Sequence, residues 1–196
     1  MDLGNLKIDK VAENREEFCR LLRSTKREGV EYVIEDLDKL GFFEAPASTQ
    51  YHENYTGGLC EHSLKVYDTF KKLHKTFNLD ININSIIIMS LLHDVCKAGC
   101  YNKEKKNVKI GQNWTQIDYW KFDDENPIGH GHKSVIILLK EGFSLTDLEI
   151  NSIISHMNGY DKSDLFNSSN IYNKDDKTVW LHVADFIATY KDRKVI

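Results

Sequence analysis

The sequence predicts an all-α fold, and three observations carry that expectation. Apolar residues recur at three- and four-residue spacing along most of the 196 positions, the pattern of a buried helix face. Only two prolines occur, so few segments are barred from helix. Most of the periodic stretches end at a glycine, the residue that tolerates the left-handed turn after a helix.

Asn14, with Glu17 three positions on, reads as a capping box that opens a first helix. Phe18, Leu21 and Leu22 form its apolar face, and Gly29 reads as its stop. Val30, Val33, Ile34, Leu37 and Leu40 repeat at helical spacing up to Gly41, and a polar loop with Pro46 runs to Gly57-Gly58. A third helix starts near Leu59, its buried stripe marked by Leu59, Val66, Phe70, Leu73 and Phe77. Residues 85–96 (SIIIMSLLHDVC) are apolar nearly all round, as in the central helix of a bundle. Residues 100–125 are charged and hold Val108, Ile110, Gly111, Trp114, Ile117, Tyr119 and Trp120. They read as a short β-hairpin or an ordered loop.

Pro127 and Gly129 precede a helix over about residues 132–141, ended by Gly142. Thr146 and Glu149 form a second capping box, opening a helix with Ile150, Ile153, Ile154 and Met157 that Gly159 ends. The stretch YDKSDLFNSSNIYNKDD reads as a polar loop. A last helix over about 177–190 carries Val179, Val183, Phe186 and Ile187. The sum is a single helical domain with one irregular insertion.

Composition narrows the function classes. Hydrophobic residues make up 41% and charged residues 29%, which argues against disorder. The net charge of -4 rules out a global basic field for gripping nucleic acid but not a local patch. The longest apolar run, residues 86–92, is interrupted by Ser90 and is too short to cross a bilayer. The N-terminus shows no signal-peptide pattern. Cys19, Cys60, Cys96 and Cys100 form no CxxC pair. They read as reduced thiols of a cytoplasmic protein.

Several histidines and aspartates sit where a purely structural role is strained. His62 shares the inward face of Leu59 and Val66. His93-Asp94 ends the most apolar helix, Asp185 lies in VADFIAT, and His156 follows Ile153-Ile154. Burying such groups singly is costly. One shared metal site satisfies all of them, and imidazole nitrogen with carboxylate oxygen suits Mn, Fe, Zn, Co or Ni, with Mg possible. At a helix end, adjacent His93 and Asp94 can converge on an ion beyond the last turn. Lys97, one turn on, can reach an anionic substrate.

His62, then His93-Asp94 in LLHDVCKAG, then Asp185 in LHVADFIAT resemble the ordered ligands of the HD-domain metal-dependent phosphohydrolases. GGLCEHSLKV, PIGHGHKSV and SHMNGY add to the likeness. It is similar to the HD domain of bacterial 3′-to-5′ exoribonucleases and to related phage and bacterial HD hydrolases. The resemblance covers roughly residues 50–192 and implies an HD-type helical core, with residues 1–49 as an N-terminal helical extension. It implies one or two divalent ions. His62, His93, Asp94 and Asp185 hold the first, while Asp94 bridges to a second on His130 and His156. It implies a phosphate contact for Lys97, and hydrolysis of a phosphate ester, in a nucleotide or short oligonucleotide, by metal-activated water. GHGHKS departs from the expected pattern at His132, leaving His130 or His132 as the ligand, with His130 preferred. His132 is then a substrate contact. Glu61, beside the first ligand, is a support, a substrate contact or a solvated carboxylate.

Two other readings share this ligand set. One is a non-catalytic module that binds nucleotide or metal, and the other is a di-iron oxygenase. His52 and His74 read as surface or loop residues, although His52 can face the cleft. His182 reads as a packed helix histidine or a support to the ligands. Cys96 and Cys100 read as small core residues, with a redox or metal role as the alternative. Lys103–Lys109 either steers anions or is a solvated hairpin tip. Trp114, Tyr119, Trp120 and Phe122 read as the side of the insertion that packs on the bundle, with a base-stacking wall as the alternative.

Overall fold

The computed structural model describes residues 8–158 and 165–191. The described order is α1 (Ile8–Ser24), α2 (Val30–Lys39), α3 (Gly58–Phe77), α4 (Ile83–Leu92), β1 (Tyr101–Ile110), β2 (Asn113–Phe122), α5 (His130–Lys140), α6 (Asp147–Ser155), α7 (Leu165–Lys174) and α8 (Val179–Lys191). Short 3-10 turns at Val95–Lys97 and Asp176–Thr178 follow α4 and precede α8. The fold is α-rich, with one antiparallel two-stranded sheet pairing Tyr101 with Phe122 through Ile110 with Asn113.

The uniformly apolar α4 lies at the centre, with all residues from Ser85 to Leu92 buried. Asn82 caps it, its side chain accepting from the Asn84 amide at 2.8 Å. The helix ends at Leu92, earlier than the sequence suggests, so His93 and Asp94 stand beyond its last regular turn. α3 packs against α4 and α8 with Leu59, His62, Val66 and Phe70 inward. Phe77 is exposed and meets Trp180 with ring centroids 5.0 Å apart. One cluster of buried residues runs from Phe18 in α1 to Ala188 in α8. Phe18, Phe42 and Phe43 form its aromatic end, with mutual centroid distances of 5.3 to 5.4 Å.

Three sequence expectations are corrected. Asn14 is an interior, buried residue of α1 and opens no helix, because the helix already begins at Ile8. Gly29 does not stop α1. It is the left-handed residue that starts α2. Residues 165–174 of the supposed loop form α7, held to α6 by a hydrogen bond from the Tyr172 hydroxyl to the Ser155 carbonyl at 2.6 Å. The polar surface of that segment hid its helical spacing. Gly159, the expected end of α6, lies outside the described residues.

The second capping box is present in full at Thr146 and Glu149. Glu149 is completely buried, and a carboxylate there requires a partner. Arg27, from the α1–α2 connection, donates to both its oxygens at 2.7 and 3.0 Å. This pair anchors α6 to the N-terminal helices. Gly131 brings α5 onto the other end of α6, since a Cβ there would lie 2.3 Å from the Ile153 carbonyl oxygen and 2.5 Å from that of Ile154. Gly131→Ala therefore forces the two helices apart. It should lower stability in urea unfolding by about 2 kcal/mol, the usual cost of overpacking.

Candidate metal centre

Four helices deliver one cluster. His62 comes from the first turns of α3, His93 and Asp94 from the end of α4, His156 from the residue after α6, and Asp185 from the middle of α8. All lie at the floor of a cavity of about 530 Å³ or directly beneath it. His62 Nε2 is 3.0 Å from Asp185 Oδ1, and His93 Nε2 is 4.0 Å from the same oxygen. Asp94 Oδ2 is 3.5 Å from His93 Nε2, while Asp94 Oδ1 is 3.6 Å from His156 Nε2. Asp94 thus faces a different ring with each oxygen.

The tautomers follow from the backbone. His93 Nδ1 lies 2.9 Å from the Ser90 carbonyl, and His156 Nδ1 lies 2.7 Å from that of Ile153. A carbonyl only accepts, so each Nδ1 carries the proton, and in the neutral ring Nε2 is left as a lone pair. Those lone pairs point at carboxylate oxygens. Such a contact is repulsive unless a cation or proton lies between. His93 Nε2, His156 Nε2 and Asp94 Oδ1 are buried without a hydrogen-bond partner. The donor set of imidazole nitrogens and carboxylate oxygens fits a divalent ion.

Burial and neighbouring charge act differently on the three rings, and contact with Asp94 raises His156 against its burial. Burial pushes His93 down to about 4, despite the opposing pull of Asp94 and Asp185, so its ring is neutral and ready to ligate. Burial alone would raise the Asp94 carboxyl, but the Lys97 ammonium and the neighbouring histidines hold it well below the usual range. Burial would lower His62, yet its contacts with Asp185 and Glu53 bring it up to about 9.

Lys97 lines the cavity. Its ammonium is 2.7 Å from Asp94 Oδ2 and donates to the Ala47 carbonyl at 3.1 Å. An ammonium has three donors, so one remains for a ligand in the cavity. His130 opens α5 with Nδ1 3.5 Å from Cys96 Sγ. Asp94, Cys96 and His130 form a further group whose ligand atoms all lie within 4.8 Å of one another. Cys96 is also buried. Ser134 ties this corner together, donating to the His93 carbonyl at 2.6 Å and accepting from the Cys96 amide at 3.2 Å.

Not every candidate joins the cluster. Among the described residues His132 belongs to no such group, and neither His132 nor Glu61 lines the cavity. Glu61 pairs instead with Lys65 at 3.1 Å. Two residues are better placed than the sequence indicates. The His52 ring is 4.8 Å from that of His62 and lines the cavity. Glu53 is half-buried, its side chain turned inward with Oε2 3.6 Å from His62 Nδ1 and Oε1 2.8 Å from the Lys65 ammonium. Gly58 permits this, because a Cβ there would fall 2.0 Å from the Glu53 carbonyl oxygen. Glu53 lies in a loop, where no periodicity marks it. His182 also lines the cavity, its Nδ1 donating to the His156 carbonyl at 2.6 Å.

A comparison with curated proteins finds a match to part of a dihydroneopterin 2′,3′-cyclic phosphate phosphodiesterase of Methanocaldococcus jannaschii, 39% identical over 67 residues. The match covers 32% of this chain and 26% of that protein, so it spans about a quarter of the relative's length. No family model and no solved structure matches the chain.

Partners that orient a ligating histidine typically matter 10–100-fold in metal affinity. Glu53→Gln should therefore weaken Mn²⁺ binding by roughly that factor in titration calorimetry, with an unchanged circular dichroism spectrum.

Proposed function

We propose that this chain is a metal-dependent phosphohydrolase of the HD-domain type, cleaving a phosphate ester of a nucleotide or short oligonucleotide. The observation that carries the reading is the convergence of His62, Asp94, His156 and Asp185 on the lining of one cavity, with His93 buried against them. The phosphodiesterase likeness of part of the chain supports it.

In this reading His62, His93, Asp94 and Asp185 would hold one divalent ion, and Asp94, His130 and His156 a second. Mn, Fe, Zn, Co and Ni all suit the nitrogen and oxygen donors, and Mg is possible. When bound, such ions supply an acidified water nucleophile and neutralise charge that builds on the phosphoryl oxygens. The chain's own groups do the rest. Asp94 keeps its charge because Lys97 stands 2.7 Å away. The Lys97 ammonium, held by Asp94 and the Ala47 carbonyl, gives its remaining donor to a phosphate oxygen. That contact strengthens as negative charge develops. Glu53 keeps the His62 ring in place from behind. Tyr51, Phe186 and Tyr190 line the outer cavity. They form an apolar wall for the organic part of the ester and limit water around the phosphate. Glu61, paired with Lys65, supports the Glu53 corner and does not touch substrate.

The test is phosphate or nucleoside release from nucleotides, cyclic nucleotides and short oligonucleotides, with Mn²⁺, Co²⁺, Ni²⁺ and Mg²⁺ supplied in turn. Chelation should abolish turnover and the effective ion should restore it. Asp94→Ala should fall to the metal-free background. Lys97→Gln should lower kcat by about 10²-fold, the usual loss for one donor to transition-state charge. A folded, metal-loaded wild type that turns over none of these esters overturns the reading and leaves a binding module.

A further inference from the structure

The β1–β2 hairpin is built unlike the rest of the molecule. Each strand has ten residues, so the arm extends about 30 Å at ~3.3 Å per residue. Five lysines (Lys103, Lys105, Lys106, Lys109 and Lys121) stand on it against two carboxylates, Glu104 and Asp118, in a chain whose net charge is -4. Strand register sorts these side chains onto two faces. The cross-strand pairs Tyr101–Phe122, Lys103–Trp120, Lys105–Asp118, Asn107–Gln116 and Lys109–Trp114 share one face. That face carries rings at its base and its tip, three ammonium groups along its length and one carboxylate, Asp118.

Packing on the bundle takes up only the base of this face: Trp120 and Phe122 meet the Tyr101 ring with centroids 6.4 and 5.2 Å away, and Tyr101 packs on the core, whereas the ring at the tip stands open. Trp114 is 71% exposed and Phe122 38%. Of the hairpin residues, Tyr101 is the one packed against the buried cluster. Lys103 lies over the Trp120 ring at 4.8 Å, which fixes both groups on the open face. The base of the arm reaches the metal centre. The Tyr101 hydroxyl donates to the Ala47 carbonyl at 3.2 Å, the same oxygen that accepts from Lys97.

We propose that this face is a docking arm for single-stranded nucleic acid and leads the strand toward the cavity. Lysines complement the phosphodiester backbone, and exposed rings stack on bases in a sequence-tolerant way. A duplex hides its base faces from such rings, so the occupant is an unpaired strand. The inference rests on the phosphohydrolase reading only for the fate of the strand. Binding is independent of it.

The experiment is fluorescence anisotropy with labelled single-stranded RNA and DNA of about 12 nucleotides, a length within known single-strand site sizes. It uses the full chain in EDTA, over a series of salt concentrations. Hydrolysis of bis(p-nitrophenyl) phosphate with added metal is measured in parallel. Trp114→Ala should weaken strand binding about tenfold, the loss expected for one stacked base. Lys105→Gln with Lys109→Gln should reduce the salt slope by about 1.4, at ~0.7 per single-strand phosphate contact. Both variants should cleave the small ester at the wild-type rate. Strand binding that neither variant weakens overturns the arm, as does a preference for duplex. So does a self-associated wild type, seen by sedimentation, that Trp114→Ala dissociates. If the ester is cleaved while the strand does not bind, the arm fails and the hydrolase reading stands. If binding depends on the arm while neither this ester nor any of the nucleotide and oligonucleotide esters above is cleaved, the arm stands and the hydrolase reading fails.

Discussion

Asp94 lies buried between the Lys97 ammonium and the rings of His93 and His156, where the ends of α4 and α6 meet. A carboxylate taken out of water is costly unless it is paired and hydrogen-bonded. Lys97 covers one oxygen. The other faces a ring nitrogen whose partner nitrogen already donates to a backbone carbonyl. The geometry therefore places acceptor against acceptor, and a positive charge has to lie between. Asp185, from α8, lies 3.0 Å from His62 Nε2 and 4.0 Å from His93 Nε2. A set of apolar side chains in this space would be as stable or more so. Local rules of good packing fail here, and that is where chemistry is expected to reside.

Very few contacts hold the cluster in register. Gly58 lets the Glu53 carbonyl pass close to the start of α3, which sets Glu53 behind His62. Gly131 lets α5 lie on the end of α6, and Ser134 then bonds both sides of the turn that carries Asp94. Arg27 fixes the other end of α6 through Glu149. The N-terminal helices therefore belong to the positioning of His156, and the loop after them supplies the carbonyl of Ala47 to Lys97. No described helix is long and apolar enough to cross a membrane. Charge is distributed unevenly, with lysines concentrated on the hairpin of a chain that is acidic as a whole.

Much of this was legible in the sequence. Apolar spacing located α2, α3, α4 and α8, since burial on one helix face imposes a 3.6-residue period. Thr146 and Glu149 marked the start of α6, because capping is local chemistry. His62, His93, Asp94, His156 and Asp185 stood out as polar groups among apolar neighbours, and that contrast needs no coordinates. Asn14 misled because the same residue types that cap a helix also occur inside one. α7 was missed because its polar surface concealed its period.

Local pattern along the chain marks which side chains are too polar for their neighbours. Packing between distant helices selects which of them meet. It brought His130 rather than His132 to Asp94, and it turned Glu61 to Lys65. It set Glu53 and His52 against His62 from a loop without periodicity. It also left Trp114, at the hairpin tip, open to solvent. The physical reason is range. Propensity, capping and periodicity act between residues a few positions apart. The partner of a buried charge is chosen by packing between helices far apart in the chain.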